Sequence, residues 1–255
     1  MEGGLPLSRW AACFYSCILM YIVLIIVGLI AGTLSGSIGF GGGMILLPVI
    51  TYFYGVEIAV PVSTIAQMMS NLSRAAMGWK EIKWKQVLWF LIPALPFTAL
   101  GACGFSLVNK TLMTRLLCIF LIVFSIMKMG NKIHLPKGHK TVIGGGMLTG
   151  LLNGMLGISG PISSAVFLTL DLSPVSYIAS EATAAAAMHI VKAITYGKFN
   201  LMNEHIFLNG LLIGCAMMAG NWIAFRLIRN VNKKPYQRVV GIMMIAVSIW
   251  LFLTV

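Results

Sequence analysis

Two glycine-rich patches interrupt apolar stretches of the chain, and they share one spacing. The first patch covers residues 32–43 and the second covers residues 150–161. A shift of 118 positions places the glycines of the first patch on those of the second: Gly32, Gly36, Gly39 and Gly42 fall on Gly150, Gly154, Gly157 and Gly160. Glycine interrupts helices and lets backbone approach a ligand, and interrupted backbone survives inside a membrane only where protein or a water-filled cavity shelters it. A matched pair of interrupted segments is typical of the substrate site of a membrane transporter.

The composition places the chain in a membrane. Of its 255 residues, 59% are hydrophobic and 9% are charged, whereas soluble domains carry about 25% charged residues. Segments 44–55 and 161–171 are too short to span a bilayer, and each follows a glycine patch, so we predict that each is the second arm of a hairpin or broken helix. We expect an all-α polytopic membrane protein with these apolar segments: 10–38, 44–55, 58–78, 86–107, 112–129, 141–158, 161–171, 174–197, 206–228 and 237–255.

The basic residues predict the topology. Lys and Arg number 18 against 6 Asp and Glu, and they cluster in short links between apolar segments rather than on a soluble surface. This distribution indicates a lipid bilayer, and not a nucleic acid, as the partner. Twelve basic residues fall on one side of the predicted membrane and four on the other. The positive-inside rule makes the first side cytoplasmic, so we expect a multi-pass protein of the cell (inner) membrane with both termini outside.

The duplication predicts two halves of opposite orientation. Residues 1–130 form a first transmembrane repeat, residues 131–140 a basic cytoplasmic link, and residues 141–255 a second repeat. Each repeat contains five apolar segments, and an odd number makes the second copy enter the membrane from the opposite face. Such inverted-topology repeats are common in secondary transporters.

The glycine patches also carry a family resemblance. The first reads Gly-Ser-Ile-Gly-Phe-Gly-Gly-Gly over residues 36–43, with Pro48 after it, and the second reads Gly-Met-Leu-Gly-Ile-Ser-Gly-Pro over residues 154–161. With Lys192 and the Tyr196-Gly197 pair, they make the chain resemble the TauE/SafE family of sulfite exporters and probable membrane transporters. The resemblance implies cargo among small anionic sulfur compounds, such as sulfite or organosulfonates. The two patches differ in sequence, so we expect their pockets to be chemically unequal.

The backbone of the patches is suited to an anion. A helix that begins after a patch offers free N–H groups and a partial positive charge, and Pro161 fits the first turn of such a helix. Close helix packing through small residues is the alternative explanation. The predicted binding residues of the two patches are Ser35, Gly36, Gly39, Gly41, Gly42, Gly43, Asn153, Gly154, Gly157, Ser159, Gly160 and Pro161.

A polar stripe follows the first patch. Thr64, Gln67, Asn71 and Arg74 fall on one face of a helix, and a polar stripe on a spanning helix faces the bundle interior or a cavity. We predict that Thr64, Gln67 and Asn71 bind the cargo. Hydrogen bonding between helices is the alternative for the stripe, and snorkelling to the interface is the alternative for Arg74.

The corresponding helix of the second half carries ionisable residues. Glu181, His189 and Lys192 share a face, and the shift of 118 places His189 on Asn71 and Lys192 on Arg74. We predict that Lys192 attracts the anion and that His189 couples proton movement to transport. The alternatives are snorkelling for Lys192 and hydrogen-bonded packing for His189. Glu181 either pairs with a cation or lies near the membrane boundary.

The sequence therefore predicts a secondary transporter of a small anion, a sulfur oxyanion or an organosulfonate, coupled to protons. A membrane-embedded scaffold or assembly partner without transport activity is the alternative. We expect no enzyme, because the sequence contains neither a nucleophile-and-base constellation nor a nucleotide-binding motif of the Walker type. We also expect no cofactor and no metal, since the five cysteines lie in apolar segments without the spacing of a metal site.

Overall fold

A computed structural model of the chain describes residues 7–39, 42–129, 136, 138–157 and 160–227, together with 245, 249, 252 and 253. These residues contain helices and no strand. The helices are α1 (Leu7–Ile38), α2 (Gly42–Tyr54), α3 (Val56–Met77), a 3-10 turn (Trp79–Glu81), α4 (Trp84–Leu107), α5 (Lys110–Met129), α6 (His139–Leu156), α7 (Gly160–Leu168), α8 (Pro174–Lys198) and α9 (Glu204–Leu227).

The fold is that of an all-α polytopic membrane protein, as predicted. Three stretches in the described part of the chain are long and apolar enough to cross a membrane: Ile18–Ile38, Trp84–Leu107 and Glu204–Arg226. The first nine predicted segments each coincide with one helix, and the helix ends lie within a few residues of the predicted ends. The tenth, 237–255, lies almost entirely outside the described residues.

Both glycine patches break a helix in the same way. Helix α1 ends at Ile38, Gly39 follows with φ of 86°, and α2 begins at Gly42; helix α6 ends at Leu156, Gly157 follows with φ of 75°, and α7 begins at Gly160. A positive φ is strained for any residue with a Cβ, which is why glycine stands at both breaks. The N–H of Gly39 donates to Ser35 O at 2.9 Å, and that of Gly157 donates to Asn153 O at 3.0 Å.

The largest helix contacts join the two halves of the chain. Helix α1 packs along α9, and α6 packs along α4. The shift of 118 places α1 on α6 and α4 on α9, so these two pairs correspond to one another. A Cβ on Gly36 would lie 2.8 Å from the Cβ of Ala224, and one on Gly154 would overlap the carbonyl oxygen of Thr98. Small residues thus bring these helix backbones together, as is common in membrane bundles. The division into repeats and their inverted orientation in the membrane stay predictions.

Helices α3 and α8 pack against one another, and the C-terminal end of α3 meets the N-terminal end of α8, so the two run antiparallel. Ala179 lies where a Cβ on Gly78 would be. Beyond α3, the N–H of Lys83 donates to Ser180 Oγ at 2.9 Å, and Ser176 Oγ donates to Glu81 Oε2 at 3.1 Å. This pair of helices carries the polar residues of both halves into the interior.

Candidate functional site

Arg74 closes the C-terminal end of the broken helix in the first half. Its side chain is 5% exposed, and Nη1 donates to Ser35 O at 3.2 Å and to Gly39 O at 2.6 Å. Nη2 donates to the Asn71 side-chain oxygen. A cation at these positions complements the negative end of the α1 dipole. The snorkelling alternative is wrong for Arg74, because its partners lie inside the protein.

Glu181 supplies the counter-charge to Arg74. Its Oε2 lies 3.4 Å from Arg74 Nη1, and its Oε1 accepts a hydrogen bond from Ser163 Oγ at 2.7 Å. The residue is 1% exposed. Of the two alternatives for Glu181, pairing with a cation is thus the one found. A buried ion pair requires such further hydrogen bonds, because desolvation otherwise outweighs the attraction.

Lys192 takes the corresponding place in the second half. It is fully buried, which excludes snorkelling, and its Nζ lies 3.3 Å from both Asn153 O and Asn153 Oδ1. The shift of 118 relates Lys192 to Arg74 and Asn153 to Ser35, so each half directs a cation at the same backbone carbonyl of its broken helix. Among the described residues, however, no carboxylate forms an ion pair with Lys192.

His189 lies one helical turn before Lys192 on α8. It is fully buried, and within the described ranges neither Nδ1 nor Nε2 has a hydrogen-bond partner. The Nδ2 of Asn153 also lacks one. Hydrogen-bonded packing, the alternative considered for His189, therefore finds no support here. Buried polar groups without partners mark a place where a polar ligand can bind.

Gln67 connects the two glycine patches. Its Nε2 donates to Gly157 O at 3.4 Å, and its amide occupies the space that a Cβ on Gly43 would take. The same side chain therefore touches the start of α2 in the first half and the end of α6 in the second. The absence of a side chain at Gly43 is what permits this approach.

The other predicted residues have more local contacts. Thr64 Oγ1 donates to Val60 O at 2.7 Å within its own helix, and Ser35 Oγ donates to Asn221 Oδ1 at 3.1 Å. A Cβ on Gly42 would lie 2.9 Å from the Met217 methyl group. Gly36 and Gly154 serve helix packing, as described above. Gly160 and Pro161 open α7, whereas Gly41 and Ser159 lie outside the described residues.

Asn221 and Ser163 belong to the same polar network, although the sequence reading did not select them. Asn221 Nδ2 donates to Ser70 O at 3.0 Å and to Ser73 Oγ at 2.8 Å, and so fixes α9 against α3. An asparagine in the middle of apolar segment 206–228 was a usable signal. The duplication concealed it, because the corresponding residue of the first half is Cys103.

A cavity of about 280 Å³ lies beside Arg74. It is bounded by the end of α3, the start of α8, and the helices α1 and α9, and its lining includes Gly36, Arg74, Ile178, Asn221 and Phe225. Its wall is mainly apolar, with Arg74 and Asn221 as polar groups, and the charge of Arg74 is already paired with Glu181. Lys192 does not line this cavity.

The chain is similar to a known protein family. A family model described as Sulfite exporter TauE/SafE matches residues 24–251. No curated protein and no solved structure matches the chain.

Proposed function

The chain belongs to the sulfite exporter TauE/SafE family, a family of membrane transporters, and on this premise we propose that it is a secondary transporter of a small anion, a sulfur oxyanion such as sulfite or an organosulfonate. Membership of the family supports membrane transport, whereas the cargo and the coupling to protons are proposed here.

The charge balance of the buried network carries the proposal. Among the described residues, two fully or almost fully buried basic side chains, Arg74 and Lys192, accompany one buried carboxylate, Glu181. Glu181 pairs with Arg74, so Lys192, when it carries a proton, is an excess positive charge within this set. A buried charge without an opposite charge costs several kcal/mol, and an anion from solution offsets that cost. A cation substrate would add to the excess instead.

Several groups around Lys192 favour an anion over a neutral solute. Asn153 Nδ2, which has no partner among the residues that the structure describes, is a donor, and His189 becomes a donor at both nitrogens when it takes up a proton. Helices α2 and α7 begin at Gly42 and Gly160, directly after the two helix breaks, and a helix N-terminus carries a partial positive charge. Uptake of a proton by His189 on anion binding would couple the two movements.

Flux measurements on purified protein test the proposal. Liposomes that contain only this protein should accumulate sulfite or methanesulfonate faster than protein-free liposomes, and an imposed proton gradient should change the rate. Chloride and choline serve as an anion without sulfur and a cation. Flux of choline alone, or of no member of the panel, would contradict the proposal.

The topology carries its own test. We propose that the protein lies in the inner membrane with both termini outside, because twelve of its basic residues fall on the side of loop 79–85. Single cysteines in a cysteine-free background should react from the inside when placed in 79–85 and from the outside when placed in 198–204. Reaction of both from outside would contradict the inverted repeat.

A scaffold without transport activity remains the second candidate. The tight packing at Gly36 and Gly154 favours it, since glycines that serve packing need no cargo. The liposome experiment separates the two, because a scaffold moves no solute. We propose no enzymatic activity for either.

A further inference from the structure

We propose that the anion binds Lys192 at the place that a carboxylate occupies on Arg74, and that Ser63 keeps this place free of a protein carboxylate. The inference rests on the proposed function and specifies where in the molecule the cargo binds. On this inference, Arg74 and Glu181 form a structural ion pair at one end of the α3 and α8 pair, and Lys192 binds the cargo at the other end.

The register of α3 against α8 brings Ser63 opposite Lys192. Arg74 on α3 meets Glu181 on α8. Ser63 precedes Arg74 by eleven residues, and Lys192 follows Glu181 by eleven. Because eleven residues make about three turns of an α-helix, Ser63 shares the face of Arg74 and Lys192 shares the face of Glu181. Because the helices are antiparallel, eleven residues back along α3 and eleven residues forward along α8 lead in the same direction. Ser63 and Lys192 therefore lie at the same height, about 16 Å along the helices from the Arg74–Glu181 ion pair.

The duplication expresses the same register as a correspondence between the two halves. The shift of 118 that relates Arg74 to Lys192 also relates Ser63 to Glu181. At the Lys192 end, a short neutral side chain thus stands where the other half has a carboxylate. Ser63 is fully buried, and the hydrogen bond that its Oγ donates among the described residues goes to Val60 O of its own helix, at 3.0 Å.

The second partner of the carboxylate is missing at this end as well. Ser163 on α7 donates to Glu181, and the residue related to Ser163 by the shift is Ile45 on α2. Neither a carboxylate nor its supporting hydroxyl is therefore present near Lys192 at the related positions. Asn153 Nδ2 and the ring nitrogens of His189 have no hydrogen-bond partner in the described part of the chain, and their N–H groups would bind the oxygens of an anion.

An internal carboxylate at position 63 tests the inference. Ser63→Asp should pair with Lys192 and exclude the anion, so that sulfite flux and affinity fall about 100-fold, because like charges at close range cost several kcal/mol. Ser63→Asn has the same shape without the charge and is the matched control; it should retain flux within about tenfold. Equal flux in the two variants, or equal loss, would overturn the inference.

Thermal unfolding of the purified protein provides a readout without transport. Sulfite should raise the melting temperature of the wild-type protein and of Ser63→Asn, since a ligand that binds the folded state stabilises it, but not that of Ser63→Asp. Without anion, Ser63→Asp should melt above Ser63→Asn, because it supplies Lys192 with a partner. A melting temperature of Ser63→Asp at or below that of Ser63→Asn would contradict the facing of Ser63 and Lys192.

The reverse change keeps the inference testable if Ser63→Asp does not fold. Glu181→Ser gives the Arg74 end the composition of the Lys192 end, so sulfite should stabilise this variant more than it stabilises the wild-type protein. An unchanged sulfite effect would count against the inference. If the wild-type protein moves no anion at all, the proposed function fails, whereas the melting temperatures of the Ser63 variants without anion still decide whether Ser63 faces Lys192.

Discussion

The two ends of the α3 and α8 pair have the same cation and carbonyl geometry but different surroundings. At one end, Arg74 contacts Ser35 and Gly39 on the first broken helix, and Glu181 joins it to Ser163 on α7. At the other end, the hydrogen bonds that Lys192 forms with described residues go to Asn153 on α6. In the part of the chain that the structure describes, Arg74 thus links four helices and has an internal counter-charge, whereas Lys192 links two helices and has no counter-charge. If the proposed cargo site at Lys192 is right, one copy of the duplicated motif serves structure and the other is available for a ligand.

The largest expected effect concerns the internal ion pair. Glu181→Gln leaves Arg74 buried without its counter-charge, so the free energy of unfolding should fall by about 3 kcal/mol. Thermal or denaturant unfolding in detergent micelles measures it. Glu57→Gln is the control, because Glu57 is exposed in the first turn of α3. If both variants lose the same small amount, Arg74 and Glu181 do not form the structural pair that the comparison requires.

A substitution at the proposed cargo site should lower the affinity for the anion rather than the stability of the fold. Lys192→Gln removes the cation but keeps a hydrogen-bond donor, so we expect anion affinity to fall about 100-fold while the protein still folds. Lys198→Gln changes an exposed charge six residues further along α8 and should leave affinity unchanged. Equal, small effects of the two substitutions on sulfite affinity would remove Lys192 from the cargo site.

The contacts of Gln67 with the two glycine patches should influence flux more than folding. Gly43→Ala places a methyl group in the space of the Gln67 amide and so breaks its contact with Gly157. We expect flux to fall about tenfold, since small misplacements of binding groups are costly. Gly197→Ala adds the same methyl group where no atom lies within 4 Å. Undiminished flux in Gly43→Ala would mean that Gln67 has no part in transport.

The smallest effect should be seen in the pH dependence of flux. His189→Asn gives the second half the residue that the first half has at the corresponding position, Asn71. The variant should keep some transport, and its flux should change about threefold less with pH than that of the wild-type protein. His205→Asn, which alters an exposed histidine at the start of α9, is the control. A pH profile of His189→Asn that matches the wild type would contradict a role of His189 in proton coupling.

The helices and their breaks could be predicted from the sequence because both depend on local properties. Apolar length determines the helices, and Gly39 and Gly157 end them because a positive φ favours glycine. The position of Arg74 in the interior could not be predicted, since the sequence shows that it lies near the end of a segment but not that Glu181 lies opposite.

The roles of individual glycines could not be predicted from the sequence either. Gly36 and Gly43 belong to one patch, yet the first packs against α9 and the second accommodates Gln67 of α3. Periodicity assigns both residues to the same motif, whereas their roles depend on which helix packs against each.

The contact between α1 and α9 has a consequence for biosynthesis. Helix α1 ends at Ile38 and α9 begins at Glu204. A ribosome that adds about 5–20 residues per second needs roughly 10–30 seconds to reach the second helix after the first. During this interval the glycine face of α1 and the hydroxyl of Ser35 cannot contact Met217 and Asn221, because α9 has not yet been synthesised. We expect the translocation machinery, or the first half of the chain, to cover that face during the interval. Correct assembly would then depend on the rate of translation.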